Sequence, residues 1–228
     1  MQNATRHALV TGASSGIGAA IVSRLAGDGW RVTGAARRAL AAEGEGVRSI
    51  ACDLSEASAR AQLLEATGPV DAFVHAAGFM ETGTLGGLDA TALARMWDLH
   101  VAAAEHLANG LAPRLQQGGR IVLIGSRTAT GSPGRSQYAA TKAALVAMAR
   151  SWAMELAPKG ITVNVVAPAA TDTPMLNDPA RASVVPKLPP IGRLIRPEEV
   201  AASVAFLLSE EASAITGQVL TICGGSSL

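Results

Sequence analysis

Tyr138 and Lys142 stand four residues apart in Tyr138-Ala139-Ala140-Thr141-Lys142, at the start of a run of helix-forming residues. That spacing is about one helical turn, so the phenol and the ammonium lie on one face and can share a site. An unperturbed tyrosine ionises near pH ~10, too high to supply its anion at neutral pH, and a neighbouring positive charge favours the tyrosinate. Such a phenol can take a proton from an alcohol undergoing oxidation, or give one to a carbonyl oxygen undergoing reduction, for ~10²–10⁴-fold in rate. The pair alone also occurs by chance on amphipathic helices, so it needs a partner site. A second group supplies one. Thr11-Gly12-Ala13-Ser14-Ser15-Gly16-Ile17-Gly18 follows a short apolar run and precedes a helical pattern. There, glycines let backbone N–H groups approach a pyrophosphate at a helix N-terminus. Its G-x-x-x-G-x-G spacing differs from the commoner G-x-G-x-x-G and, taken alone, also fits a tight turn.

The elements that must position these groups alternate along the chain. Strands are predicted at His7 to Thr11, Arg31 to Ala36, Val47 to Cys52, Val70 to Ala76, Arg120 to Gly125, Ile161 to Ala167 and Gln218 to Ile222. Helices are predicted at Ile17 to Ala26, Glu56 to Ala66, Thr91 to Pro113, Ser136 to Ala157 and Pro197 to Leu208. About seven strands alternating with helices imply an α/β, Rossmann-like, doubly wound parallel sheet with helices on both faces. Its strands should be continuously apolar, as Ile121 to Ile124 is and as Ala72 to Ala77 is apart from His75. Between Met175 and Arg196, prolines 179, 186, 189 and 190 break any regular element, with Pro197 just beyond, and a lid loop is expected near 175–196.

Composition narrows the function further. The 228 residues, 49% of them hydrophobic, suit one domain spanning 1–228. Lys+Arg 19 against Asp+Glu 18 gives no field to gather nucleic acid or an anionic membrane, and 3% aromatics offers few stacking platforms. Cys52 and Cys223 are too few for a metal cluster or a disulfide scaffold and read as reduced core thiols. Met1 to Arg6 lacks the pattern of a signal peptide and no apolar run has membrane-spanning length, so a cytoplasmic protein without membrane or metal is expected.

T-G-x-x-x-G-I-G at the first strand–helix turn resembles the cofactor loop of the short-chain dehydrogenase/reductase family, assigning Gly12, Ser14, Ser15, Gly16, Ile17 and Gly18 to a nicotinamide dinucleotide. Further matches run along nearly the whole chain. The resemblance implies that Asp53 and Leu54 hold the adenine, although the start of a helix is an alternative reading of Asp53. His75-Ala76-Ala77-Gly78 is similar to the family's N-x-A-G segment; His75 replaces the usual Asn and is taken as structural, while Ala76, Ala77 and Gly78 border the cofactor. Ser126 resembles the serine that hydrogen-bonds the substrate oxygen. It lies 12 residues before Tyr138, one fewer than in most relatives, and Ser132 and Ser136 are rivals. Only Ser126 ends a strand, where ligands sit in open α/β sheets. His100 occupies the position of an asparagine that holds a water linking the lysine to solvent, and is expected in that supporting role. Asn164 to Met175 resembles the stretch under the nicotinamide, which brings in Pro168, Thr171 and Thr173; Ala169 replaces the expected glycine.

The end of the second strand selects the cofactor, since an Asp there accepts from the adenosine ribose and repels a 2′-phosphate. Here the position is Ala36, and Arg37 and Arg38 follow with guanidinium donors suited to a phosphate dianion. NADP(H) is therefore favoured over NAD(H), against which Ser15 stands where many NADP-preferring relatives carry a basic residue. The expected function is an oxidoreductase moving a hydride between NADP(H) and a carbonyl or secondary alcohol, with Ser126, Tyr138, Lys142 and His100 as its catalytic group. The alternatives are an NAD-dependent alcohol or diol dehydrogenase, and a dinucleotide-binding regulatory or scaffold subunit without turnover. The resemblance further implies a homotetramer, or a homodimer, through the long helices. Leu176, Val184, Val185, Leu188 and Ile191 suggest an apolar substrate wall, and Arg127 can pair with a carboxylate or phosphate.

Overall fold

The computed structural model of the chain describes residues 5–40, 46–178 and 187–228. Among them seven strands form one sheet: β1 (His7–Thr11), β2 (Arg31–Ala36), β3 (Val47–Ala51), β4 (Ala72–His75), β5 (Arg120–Ile124), β6 (Thr162–Pro168) and β7 (Val219–Ile222). Every pairing is parallel and the spatial order is β3-β2-β1-β4-β5-β6-β7. The order reverses between β1 and β4, and a crevice opens at the carboxyl ends of the strands flanking such a reversal.

Side chains alternate along each strand, so a parallel sheet needs apolar cover on both faces. Ala8, Val10, Val74, Val122 and Ile124 meet α1 (Gly16–Gly27) and a C-terminal helix, α6 (Pro197–Leu208), on one face. Leu9, Phe73, Ile121 and Leu123 point the other way. They meet α2 (Ala57–Thr67), a two-part helix, α3 (Ala90–Trp97) and α4 (Ala103–Leu111), and α5 (Ser136–Leu156). Phe73 is fully buried, and its replacement by Ala would cost about 3–5 kcal/mol.

The structure departs from the sequence expectations at several places. Thr91 to Pro113 is not one uniform helix: a π turn, Asp98–Ala102, separates α3 from α4, and the Ala103 N–H reaches back to the Asp98 carbonyl. β4 ends on a fully buried histidine, not an apolar residue. β3, at the sheet edge, is only half-buried, and β7 exposes Val219 and Leu220 at the other edge. Cys52 is buried, but Cys223 is only half-buried in the turn after β7 and is not a core thiol; both are free. The segment expected to lack regular structure opens with a 3-10 turn, Pro174–Asn177. Pro179, Val184, Val185 and Pro186 lie outside the described residues.

Candidate active site

The carboxyl ends of β1, β2, β4, β5 and β6 border one cleft of about 1500 Å³. β1 delivers the glycine turn to it. Gly12 has φ +66°, and a Cβ there would fall 2.8 Å from the Ala76 carbonyl and from the Ala77 Cα. Only glycine allows the ends of β1 and β4 to approach so closely. Ser15 precedes α1 without a side-chain cap, which leaves the positive helix end to the cleft. These features fit a pyrophosphate, the hard anionic centre of a dinucleotide. Gly16 (φ +53°) faces Thr173, whose Cγ2 a Cβ would meet at 3.0 Å.

β2 ends in Ala36, and the exposed Arg37 and Arg38 follow at the rim. Asp53 lies across from them after β3, its carboxylate accepting the Ser55 N–H at 3.0 Å and the Ser55 hydroxyl at 2.8 Å. Those bonds, with a smaller effect of Arg37, hold its pKa below the usual carboxylate range. Asp53 does not cap α2, since Glu56 occupies that position. Leu54 is buried beside it.

β5 delivers the buried Ser126, whose Oγ accepts the Thr128 N–H at 3.2 Å and lies 2.9 Å from Thr128 Oγ1. α5 carries Tyr138 and Lys142 on its buried face, as their four-residue spacing requires. Lys142 Nζ donates to the Ile124 carbonyl at 2.9 Å and lies 5.7 Å from the centre of the Tyr138 ring. Burial pushes this ammonium down from its usual 10.5 to about 7. Gly78 keeps the space beside it open: a Cβ there would come 3.0 Å from His100 Nε2 and 3.6 Å from Lys142 Nζ.

Every residue assigned from the sequence to the dinucleotide or to the catalytic group lines this cleft except His100. Gly12, Ser14, Ser15, Gly16, Ile17, Gly18, Arg37, Arg38, Asp53 and Leu54 form the side near β1 to β3, and Ala76, Ala77, Gly78, Ser126, Tyr138, Lys142, Pro168, Thr171 and Thr173 complete it. Rivals of Ser126 separate: Ser132 also borders the cleft, whereas Ser136 starts α5 exposed. Ala169 needs no glycine, because no non-glycine residue among those described has positive φ and its N–H pairs with the Ile222 carbonyl at 2.9 Å. Arg127, Leu176 and Leu188 border the substrate end, but Leu188 and Ile191 are largely exposed and do not form a closed wall.

His100 corrects its expected role. It is fully buried in the π turn; its Nε2 accepts the Phe79 N–H at 3.1 Å and its Nδ1 lies 2.8 Å from Thr141 Oγ1. With both ring nitrogens bonded to protein, the imidazole cannot hold a water for Lys142. Sequence reasoning missed Thr141, which donates to the Tyr138 carbonyl at 2.8 Å, and the hydrogen bonds of His75. The available signal was two histidines inside otherwise apolar segments. Among the described residues no His, Cys, Asp and Glu cluster is placed to hold a metal ion, and no helix is long and apolar enough to cross a membrane.

Comparison with known proteins agrees with this geometry. A family model described as enoyl-(acyl carrier protein) reductase matches residues 12–227. The chain is 38% identical to an uncharacterized oxidoreductase, YmfI, of Bacillus subtilis, over 96% of this chain and 98% of that protein. It is 37% identical to the 3-oxoacyl-(acyl-carrier-protein) reductase FabG of Salmonella typhimurium, over 96% of each. A short-chain dehydrogenase from Burkholderia cenocepacia, solved in complex with NADP, superposes with a TM-score of 0.84 at 34% identity, covering 98% of both chains.

Proposed function

The chain belongs to the short-chain dehydrogenase/reductase family, and from that premise we propose that it works as an NADP(H)-dependent carbonyl reductase through Ser126, Tyr138 and Lys142. It is an NAD(P)-dependent oxidoreductase acting on C=O and CH–OH groups of a small molecule. The observation that carries the finer reading is the meeting, in one cleft, of a glycine turn fitted to a pyrophosphate and a buried Tyr–Lys pair.

When bound, the dinucleotide supplies or accepts the hydride. The chain's own residues handle the substrate oxygen and its proton. Thr128 donates its N–H, and in this reading its hydroxyl, to Ser126 Oγ, leaving the Ser126 proton to aim at the carbonyl oxygen. Tyr138 gives its phenolic proton to that oxygen in reduction and takes it back in oxidation. Lys142, held by the Ile124 carbonyl, keeps two N–H donors for the Tyr138 oxygen and the cofactor ribose. Its charge favours the tyrosinate.

Arg37 and Arg38, after a second strand that ends without an acidic residue, support a 2′-phosphate and hence NADP(H). Likeness to the NADP-bound Burkholderia protein points the same way. Identity with a 3-oxoacyl reductase makes 3-oxoacyl thioesters the first carbonyl compounds to assay. We place the described residues in one domain, and the chain in the cytoplasm, where the free Cys52 and Cys223 suit a reducing compartment. A homotetramer is supported by exposed apolar residues, Trp97 and Met154 on the helices α3 and α5 and Phe206, Val219 and Leu220 on α6 and β7. The test is a panel of ketones and alcohols followed by nicotinamide absorbance: the reading predicts carbonyl-dependent oxidation of NADPH. A protein that binds NADPH tightly yet oxidises it with no carbonyl in the panel would refute it.

A further inference from the structure

His75 is fully buried at the end of β4, and its bonds join Thr11, before the glycine turn, to Leu99 in the π turn. Its Nδ1 lies 3.0 Å from the hydroxyl of Thr11, the residue immediately before Gly12. That hydroxyl already accepts the N–H groups of Ala76 at 3.2 Å and Ala77 at 3.3 Å, so its own proton is what it offers to His75. The imidazole proton therefore sits on Nε2, which donates to the Leu99 carbonyl at 3.2 Å.

Leu99 precedes His100 in the π turn. Because Phe79 N–H can only donate, His100 Nε2 is the acceptor, and the proton of His100 lies on Nδ1, donating to Thr141 Oγ1. Thr141 in turn donates to the Tyr138 carbonyl. Two neutral imidazoles of opposite tautomer thus link Thr11, at the edge of the glycine turn, to the first turn of α5. π turns recur at functional sites, where they redirect a helix locally, and this one sets Leu99 on His75 and His100 on Thr141.

We propose that His75 is a positioning residue for the reaction: through Leu99, His100 and Thr141 it holds Tyr138 and Lys142 in place relative to the glycine turn. The proposal rests on the reading of that turn as the dinucleotide site and of Tyr138 as the proton donor. It gives His75 a role in turnover and not merely in core packing.

Two substitutions cut the chain at different points. H75N keeps a side-chain acceptor for Thr11 and loses the Leu99 bond; H75Q can still donate to Leu99. T141V removes the hydroxyl next to His100, and T141S retains it. With the best carbonyl substrate of the panel and NADPH, H75N and T141V should each lower kcat at least tenfold while KM and the NADPH Kd stay within threefold. H75Q and T141S should each recover most of the loss. The double variant H75N/T141V should be no slower than the slower single variant within about twofold, because one chain is cut twice. Folded H75N with kcat within twofold of wild type, or a double variant slower by the product of the two single losses, would overturn the proposal. If H75N does not fold, His75→Leu, which also lacks a donor for Leu99, replaces it alone and together with T141V, with the same expected and overturning results. Normal turnover in Tyr138→Phe would instead refute the underlying assignment, so the two failures are distinguishable.

Discussion

The two ends of the cleft are built differently. At the reacting end, Ser126, Tyr138, Lys142 and the supporting His75, His100 and Thr141 are all buried, and the hydrogen bonds around them run from one element to the next. At the adenosine end, Arg37, Arg38 and Asp53 stand exposed on loops after β2 and β3. Proton transfer demands a donor held within a few tenths of an ångström, so that end is locked by packing. Recognition of a charged group tolerates a flexible guanidinium, because the attraction falls off slowly with distance. Precision of placement and choice of cofactor are thereby separable.

Lys142→Met should break the reacting end, lowering kcat about a hundredfold. The same substitution should raise the melting temperature, since it removes an ammonium that burial destabilises. The folded pKa of about 7 lies below the usual 10.5, so between those values the unfolded chain binds more protons and stability rises with pH. The stabilisation by Met should accordingly be larger at pH 6 than at pH 10, as melting curves at both would show.

At the other end, Arg37→Asp should reduce the preference for NADPH over NADH about tenfold to a hundredfold, the loss of one charge-assisted contact, and leave NADH turnover nearly intact. Steady-state kinetics with each cofactor measures this. A parallel fall in both activities would deny the separation of the two ends.

Protonation of the two buried histidines predicts a further effect, read in the pH dependence of stability. Burial and the charge of Lys142 push His75 down from its usual 6.5 to about 3 and His100 well below 6.5. Both are neutral in the fold, so their contribution is complete above pH 6.5 and is lost as the unfolded imidazoles protonate below it. With two groups the slope should approach about 2.7 kcal/mol per pH unit. Chemical unfolding between pH 4 and pH 7 tests this; a His75→Asn variant should show a shallower slope.

Most of the cofactor end was legible because its signals are local. A glycine pair, two arginines after a strand and an aspartate at a turn announce themselves within a few residues, and Gly12 is required by its own φ. Tyr138 and Lys142 were legible for the same reason, through helical spacing. His75 and His100 were not. Their meaning lies in partners 21 to 64 residues away in sequence, and the π turn that orients His100 adds one residue to a turn without disturbing the apolar pattern of Thr91 to Pro113. The exposure of Val219 and Leu220 was equally hidden, because an edge strand and a central one carry the same apolar letters.

The central claim is that the Tyr138 phenol supplies the proton in a cleft that binds the dinucleotide independently of it. Measuring Tyr138→Phe in parallel for carbonyl-dependent NADPH oxidation and for NADPH binding by fluorescence titration tests that most directly. The account predicts turnover lowered by ~10²–10⁴-fold with Kd changed less than threefold. Turnover within threefold of wild type would contradict it.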